Sequence, residues 1–384
     1  MVECEPNIEY NRLMSRYNWQ QPDWPDFSYC LDGLEDALYT FVEQVGRAGG
    51  AWNVLSPETR QDALLELMTA EAQKSSKIEG IQLSHEDVYS SIQRNLGLSP
   101  DTDVVGDRRA ADAAQLMTEV RHSWSKPLTA DLLCSWQRTL LSHSSGITLG
   151  SWRTDPQPMR IISGPLGRET VHYEAPPSSQ VPQEMQRFIA WFNQTAPNAP
   201  GDIRHAPIRS ALSHLYFESI HPFEDGNGRI GRAIAEKALS QGIGGPVVLS
   251  LSSAIEADRR VYYQALNAAQ HSNEVSEWIR YFVHTVLDAQ SRAEQVITFT
   301  LLKARFFERW GSHLNDRQLK VIRRMLREGP QGFVGGMNVR KYIAITGTSK
   351  ATATRDLQNL KALGIFSITG DSAGRSTRYQ LNMS

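Results

Sequence analysis

The sequence of 384 residues predicts a mainly α-helical fold with one β-hairpin and a winged helix-turn-helix domain at the C-terminus. Over most of the chain, apolar residues recur at spacings of three and four, which is the period of an amphipathic helix. The exception is Met159–Tyr173, where two short runs surround a Gly-Pro-Leu-Gly turn and predict a hairpin. The segment that begins at Asn315 alternates helical runs with turns and ends in two strand-like runs.

Helices of the main body are expected at Leu31–Gly46, Pro57–Lys77, Val105–Trp124, Thr129–Leu141, Val181–Asn193, Pro207–Ile220, Gly228–Ser240, Ala254–Gln270 and Val275–Trp310. The first helix is expected to stop at Gly-Arg-Ala-Gly-Gly, because glycine weakens a helix interior and often follows its last turn. A two-stranded hairpin is only marginally stable alone. We therefore expect the hairpin to lie as a flap over a site on the helical body.

The C-terminal segment is basic. From Asn315 onward it carries a net charge of +8, which leaves −10 on the rest of the chain. Its pattern resembles a winged helix-turn-helix, with helices at Asp316–Glu328, Asn338–Ile345 and Ser349–Leu363 and strands at Ile365–Thr369 and Ser376–Leu381. Lys350 and Arg355 would lie on the recognition helix, and Arg375 and Arg378 on the wing. DNA binding through these cations and docking to another protein both stay open.

These boundaries predict three domains: an N-terminal helical region at 1–100, a central domain at 101–310 and the basic domain at 311–384. The cysteines Cys4, Cys30 and Cys134 show no metal-ligand or redox spacing, which is typical of a reducing compartment. No apolar run approaches the roughly 20 residues of a membrane span, and the first 30 residues lack a signal-peptide pattern. We therefore expect a cytoplasmic protein with no membrane partner.

The most informative stretch, residues 221–232, reads His-Pro-Phe-Glu-Asp-Gly-Asn-Gly-Arg-Ile-Gly-Arg. It follows one helical run and opens another, so exposed N–H groups and the helix dipole favour a phosphate there. A neutral His221 has the right pKa to act as a base near pH 7. The carboxylate of Asp225 suits Mg²⁺, and Arg229 and Arg232 can meet phosphate oxygens with forked donors.

This stretch matches the signature of the Fic family, His-x-Phe-x-Asp/Glu-Gly-Asn-Gly-Arg-x-x-Arg, at every defined position. The resemblance implies a helical bundle with a β-hairpin flap. It also implies Mg²⁺-dependent transfer of AMP from ATP to a Ser, Thr or Tyr hydroxyl of a target protein or of the chain itself. It gives His221 the role of base and Asp225 that of metal ligand. The intact Gly226-Asn227-Gly228 argues against the phosphate-transferring branch of the family, whereas UTP, GTP and CDP-choline stay open as donors.

The nucleotide-binding residues implied by the resemblance are Asp225, Gly226, Asn227, Gly228, Arg229, Ile230, Gly231, Arg232, Tyr263 and Gln270. Asn227 is expected to donate from its amide and Tyr263 to flank the adenine, with core packing as the alternative for Tyr263. Gln270 stands where relatives often have asparagine. Phe223 is expected to pack into the core. A target backbone is expected to pair with the flap strand at Val171, His172, Tyr173 and Glu174.

A second motif, Ser75-Ser-Lys-Ile-Glu79-Gly80, resembles the inhibitory pattern Ser/Thr-x-x-x-Glu-Gly/Asn of many Fic proteins. The resemblance implies that Glu79 pairs with Arg232 and misplaces the nucleotide, while Gly80 ends the preceding helix. The alternative is an amphipathic helix with a solvated glutamate. Glu79 could also orient a water that removes AMP, which would make the protein bifunctional. A DNA-binding regulator whose Fic body senses nucleotide, and a homodimer, stay open as well.

Overall fold

The computed structural model describes residues 17–98, 106–163, 168, 170–369 and 377–383. Helices dominate, so the mainly helical prediction is confirmed. The helices are α1 (Glu35–Val54), α2 (Pro57–Ile78), α3 (His85–Asn95), α4 (Arg108–His122), α5 (Ala130–Leu140), α6 (Val181–Gln194), α7 (Ala206–Ile220), α8 (Asn227–Ile243), α9 (Leu251–Ala257), α10 (Arg259–Ala269), α11 (Ser276–Trp310), α12 (Asp316–Leu326), α13 (Val339–Thr346) and α14 (Lys350–Ala362). The strands are β1 (Arg160–Ser163), β2 (Thr170–Glu174), β3 (Phe366–Thr369) and β4 (Arg378–Leu381).

Helices α7 and α8 form the centre of the main body. Every residue of α7 is buried, and so is most of α8. One apolar cluster packs α2 to α6 against this pair and includes Val88, Trp136 and Phe188. A second cluster packs α1, α9, α10 and α11 against it and includes Phe41 and Trp278. Apolar packing around both helices therefore fixes the turn between α7 and α8.

The predicted hairpin is present. Strands β1 and β2 pair antiparallel, with Arg160 opposite Glu174 and Ile161 opposite Tyr173. The register shifts between Ile161 and Ile162, which indicates a bulge at the middle of the hairpin. The predicted Gly-Pro-Leu-Gly turn at 164–167 lies outside the described residues.

The C-terminal segment folds around its own apolar cluster, which includes Val321, Tyr342 and Leu357. Helices α13 and α14 are joined at Gly347, which has a φ of 70°, and the antiparallel pair β3–β4 follows. This order is the one that a winged helix-turn-helix requires. Arg375 and Ser376 of the predicted wing lie outside the described residues.

Two helical predictions differ from the structure, and one helix was missed. Helix α1 runs through the predicted stop to Val54, because the glycines at 46, 49 and 50 keep a negative φ and only weaken the helix. The predicted helix Ala254–Gln270 is divided into α9 and α10 at Asp258, whose carboxylate accepts from the N–H of Val261 at 3.2 Å and caps α10. Helix α3 was not predicted at all.

The described part of the chain forms two compact units. Residues 17–50 and 64–293 belong to one unit, and residues 51–63 and 294–369 with 377–383 belong to the other. Most of the predicted N-terminal region therefore shares a unit with the predicted central domain. Within the described residues, no helix has both the length and the apolar character to cross a membrane.

Candidate active site

His221 ends α7 in the left-handed backbone conformation, with a φ of 49°. This conformation is uncommon for a residue that carries a Cβ. Arg153 supports it, because its Nε donates to the His221 carbonyl at 2.8 Å and its backbone N–H donates to the Pro222 carbonyl at 2.9 Å. Arg153 itself is buried. A single buried arginine thus fixes the turn that carries the histidine.

Asn227 shapes the loop that follows. Its Oδ1 accepts from the N–H of Phe223 at 2.9 Å, and its Nδ2 donates to the carbonyl of Phe223 at 2.8 Å. The buried amide thus uses its oxygen and one of its two N–H hydrogens on the loop backbone, and the expected donation from Asn227 stays a prediction that could use only the second hydrogen. Phe223 is fully buried beside Trp152, which confirms that it packs into the core.

The N-terminus of α8 is open to an anion. Gly226 precedes the helix with a φ of 89°, and no side chain caps the first N–H groups. Asp225 accepts from the N–H of Gly226 at 2.6 Å and is not the N-cap. A Cβ at Gly228 would collide with the Glu79 carboxylate and lie 3.2 Å from Arg232 Nη1. This uncapped helix terminus, called the cradle below, is a favourable place for an anion, and the Glu79 carboxylate lies against it.

Ile230 and Gly231, also in the 221–232 stretch, face the core instead. The Ile230 side chain is fully buried in the first apolar cluster, so its expected nucleotide contact is limited to the backbone. A Cβ at Gly231 would collide with the Glu218 carboxyl and lie 3.1 Å from His214 Nδ1. Gly231 therefore allows α7 and α8 to approach closely.

Arg229 and Arg232 bring two buried positive charges to the cradle. Within the described residues, Arg229 Nε and Arg232 Nη1 are buried without a hydrogen-bond partner. Arg229 Nη2 lies 3.7 Å from the carboxylate of Asp225, whose side chain is 56% exposed. Unpaired guanidinium nitrogens beside an exposed carboxylate form a donor set that fits a phosphate and a divalent cation.

Arg232 is already paired with the predicted inhibitory motif. Its Nη2 donates to Glu79 Oε1 at 2.7 Å and to the Ser75 carbonyl at 2.9 Å, and its Nε donates to Ser75 Oγ at 3.0 Å. Burial lowers the pKa of Arg232, but the Glu79 carboxylate outweighs burial and leaves this pKa above its usual range. The ion pair is thus a close, charge-assisted contact inside the cradle.

The backbone geometry at the end of α2 directs Glu79 toward Arg232. Ile81 N–H donates to the Ser76 carbonyl and Gly80 N–H to the Lys77 carbonyl, both at 3.0 Å, which is a Schellman motif. Gly80 adopts a φ of 80°, as its predicted role at the helix end requires.

Four further contacts fix the end of α2 to the body, and none of them was predicted from the sequence. Glu71 accepts from the Ser252 N–H at 2.8 Å. Lys74 and Lys77 both pair with Glu256, at 2.9 and 2.5 Å. Arg259 donates to the Ile78 carbonyl at 3.0 Å. The segment that presents Glu79 is therefore held along two turns.

Burial sets the protonation of the groups around His221. Burial, with the help of Arg153, lowers the pKa of His221 to about 4, so the ring is neutral near pH 7. Burial raises the pKa of Glu218 to about 8, so this carboxyl is mostly protonated near pH 7. Glu218 Oε2 lies 3.7 Å from His221 Nδ1. A neutral imidazole is the form that can accept a proton.

A cavity of about 680 Å³ extends from His221 and Gly228 to α10. Tyr263, Gln270 and Glu79 also line it, together with residues of the hairpin. Tyr263 is 41% exposed, so its alternative role in core packing is not what the structure shows. Gln270 is buried, and its Nε2 donates to the Glu218 carbonyl at 3.3 Å. The cavity therefore joins His221 and Gly228 to Tyr263 and Gln270, the residues expected near the nucleotide base.

The hairpin lies at the rim of this cavity. Ile161, Ile162, His172 and Tyr173 line the rim. Along β2, the carbonyl of His172 accepts from Asn267 Nδ2 at 2.9 Å, and the carbonyl of Glu174 accepts from Trp19 Nε1 at 2.8 Å. The expected pairing of a target backbone with Val171–Glu174 stays a prediction. It would have to use backbone groups other than these two carbonyls.

In the C-terminal unit, α14 exposes Lys350, Arg355 and Lys361, whereas Asp356 is buried and pairs with Arg317 at 2.9 Å. Arg378 on β4 is also exposed. Lys350, Arg355 and Lys361 thus place three exposed cations on α14, the predicted recognition helix.

Two family models match the chain. Residues 17–98 match a domain of unknown function, DUF4172, and residues 127–239 match the Fic/DOC family. The second match confirms the resemblance that the 221–232 stretch predicted.

Among curated relatives, a protein adenylyltransferase Fic of Nematostella vectensis is 27% identical over 157 residues, which is 41% of this chain and 32% of that relative. One of Drosophila mojavensis is 32% identical over 108 residues, or 28% and 19% of the two chains. The chain thus spans about a third or less of these relatives.

Two solved structures show the same fold. A Fic family protein from Desulfovibrio desulfuricans G20 superposes with a TM-score of 0.52 at 20% identity, over 93% of this chain and 98% of that one. A Fic domain containing signaling protein from Bacteroides thetaiotaomicron has a TM-score of 0.52 at 17% identity, over 68% and 97% of the two chains. The predicted helical fold is therefore shared with known structures.

Proposed function

Starting from the Fic/DOC domain at residues 127–239, we propose that the chain is a protein adenylyltransferase held inactive by its own α2. The observation that carries this proposal is the combination of a neutral histidine with an open helix N-terminus and two buried arginines. ATP is the proposed donor, and the acceptor is a Ser, Thr or Tyr hydroxyl of a target protein. The names of the curated relatives support the same activity.

In the proposed reaction, the oxygen of the target hydroxyl attacks the α-phosphorus of ATP. Its proton moves to the imidazole of His221, which is neutral because burial lowers its pKa. The bond from the α-phosphorus to its bridging oxygen breaks, pyrophosphate leaves, and AMP stays on the target. The cradle at α8 and the free nitrogens of Arg229 and Arg232 stabilise the phosphate charge.

Asp225 is the residue that would hold Mg²⁺. Its side chain is exposed beside the cradle, and carboxylate and phosphate oxygens are the ligands that this cation prefers. When bound, the cation would neutralise charge on the phosphates. Gly226 and Gly228 keep the helix terminus free of side chains, so the phosphates can approach the backbone.

Inhibition would follow from the ion pair of Glu79 and Arg232. Because Nη2 of Arg232 donates to Glu79 and Ser75, only Nη1 is free, so the arginine cannot hold the outer phosphate with both nitrogens, and the Glu79 carboxylate repels that phosphate. ATP could bind but would place its α-phosphorus badly for attack. A misplacement near 1 Å can slow a reaction about 10²-fold.

The test is intact-protein mass spectrometry of the Glu79→Gly variant after incubation with ATP and Mg²⁺. An AMP adduct that is absent from the Glu79→Gly/His221→Ala protein supports the reaction and the base together. An unmodified mass in both proteins, with folded proteins and bound ATP, would refute self-modification. The same measurement with UTP, GTP and CDP-choline distinguishes the donors.

The rate of the Glu79→Gly variant is expected to be nearly constant between pH 6 and 7.5 and to fall below about pH 5. The reason is that His221, whose pKa is lowered to about 4, gains a proton only in acid, and a protonated base cannot accept another. If His221 had the ordinary histidine pKa of about 6.5, half of it would be protonated at that pH and the rate would fall to half there. Arg153, Glu218 and Asp225 also face the ring, and loss of Glu79, whose charge raises the pKa of His221, would lower that pKa further. Initial rates of AMP incorporation at saturating ATP measure the profile; a midpoint near pH 6.5 would contradict it.

DNA binding is a second candidate function, favoured by the exposed cations Lys350, Arg355 and Lys361 on α14. We expect the full chain to shift double-stranded DNA fragments at low salt, and Lys350→Ala/Arg355→Ala to weaken this binding at least tenfold. Arg317→Ala is not a suitable control because Arg317 pairs with Asp356. Arg305→Ala, on α11, is the control that should bind like wild type. No shift at low salt would rule this function out.

A further inference from the structure

The described chain begins with a short turn that contacts three parts of the candidate site. We propose that this N-terminal anchor (Tyr17–Gln21) positions the hairpin relative to His221, so that a target held by the hairpin meets the base. The proposal rests on the proposed function and gives a role to the start of the region that matches a domain of unknown function.

The anchor holds strand β2 directly. Trp19 Nε1 donates to the Glu174 carbonyl at 2.8 Å. Tyr173 OH donates to Asn18 Oδ1 at 3.2 Å, and the Tyr17 and Tyr173 rings meet edge to face at 5.0 Å. Tyr173 is fully buried. These contacts fix the strand from the side that does not pair with β1.

The same turn also holds the helix that carries the base. Asn18 Nδ2 donates to Ser219 Oγ at 2.8 Å, and Tyr173 OH also donates to the Ser219 carbonyl at 2.7 Å. Ser219 lies two residues before His221 and is fully buried, as is Asn18. Strand and helix end are therefore connected in two ways: directly through the Tyr173 hydroxyl, and through the side chain of Asn18.

The third contact is with the end of α10. The N–H of Asn18 donates to the Gln270 carbonyl at 2.8 Å, and Gln21 Nε2 donates to the His271 carbonyl at 2.9 Å. Gln270 lines the nucleotide cavity. The anchor thus joins the hairpin, the base and the cavity wall, and a two-stranded hairpin alone could not hold such a position.

The first experiment measures hydrogen exchange of the hairpin in the full chain. Trp19→Phe keeps an aromatic ring but removes the indole N–H that donates to Glu174, together with part of the ring, so amides of β2 should exchange about fivefold faster. Tyr173→Phe, which loses the bonds to Asn18 and Ser219, should do the same. Trp24→Phe is the matched control: it removes an indole bond of 3.0 Å from the same segment, but to Glu184 on α6. Unchanged exchange in Trp19→Phe, or equal change in Trp24→Phe, would overturn the proposal.

The second experiment measures function in the Glu79→Gly background. Adding Trp19→Phe should lower the rate of self-modification about fivefold at saturating ATP, while calorimetry gives a Kd for ATP within twofold of the parent. A parallel loss of ATP affinity would mean that the anchor supports the nucleotide instead, through Gln270. A higher rate would mean that Trp19 obstructs the strand edge. Either result overturns the proposal. If the Glu79→Gly protein transfers no AMP, the proposed function fails. The hydrogen-exchange experiment still tests whether the N-terminal anchor holds the hairpin.

Discussion

Replacing Glu79 with glycine is expected to raise the rate of AMP incorporation about 10²-fold over that of the wild-type protein. The substitution removes the carboxylate that lies 2.7 Å from Arg232 and leaves the helix α2 intact, since Glu79 comes after its last residue. Arg232 then has two nitrogens to offer to the outer phosphate of ATP. Time courses with radiolabelled ATP and Mg²⁺ measure the effect.

Two further variants test whether activation comes from loss of the Glu79 charge or from a loosened helix α2. Glu79→Gln keeps the size of the side chain and removes its charge, so it should activate nearly as much. Glu66→Ala lies on the same helix but faces His85, and it should keep the wild-type rate. Equal incorporation by wild type and Glu79→Gly would refute the inhibitory role. Activation by Glu66→Ala to the same level would show that a loosened helix, not Arg232, accounts for the change.

His221→Ala, in the Glu79→Gly background, is expected to lower the rate by 10² to 10⁴-fold. The neighbouring carboxyl of Glu218 is a poor substitute, because burial raises its pKa. ATP affinity should change little, since the arginines and the helix N-terminus remain. Rates at saturating ATP and calorimetric Kd values separate the two effects.

His205→Ala is the matched control for this prediction. His205 lies exposed at the other end of α7, so it tests whether loss of any histidine from this helix slows the reaction. We expect its rate to equal that of the parent. A His221→Ala protein that keeps more than a tenth of the parent rate would refute the role of base.

Much of the 221–232 site could be predicted from the sequence because its residues are neighbours in the chain. Backbone and side chains of residues 221–232 form one turn and one helix start, so spacing alone predicted the cradle and the two arginines. The sequence did not reveal that the Asn227 amide bonds to the backbone of Phe223, four residues earlier, because a motif does not show which nearby polar groups form hydrogen bonds. The pairing of Glu79 with Arg232 came from the resemblance, and the structure contains it.

What sequence reasoning missed depends on long-range contacts. Arg153 supports the histidine turn from 68 positions earlier in the chain, and nothing near it signals that partner. The same holds for Glu71, whose partners lie about 180 positions later. The stop predicted near Gly46 failed for another reason, since a glycine ends a helix through a positive φ, and composition does not reveal φ.

Gly80 determines where α2 ends, and with it the contact of Glu79 on which the proposed inhibition depends. Glu79 is the last residue before the left-handed glycine, so the point where α2 ends determines the direction of its carboxylate. One more residue of helix would rotate that position by about 100° and advance it by about 1.5 Å, away from Arg232. The contact between Glu79 and Arg232, on which the proposed inhibition depends, is therefore encoded in the length of a helix, and a residue without a side chain fixes that length.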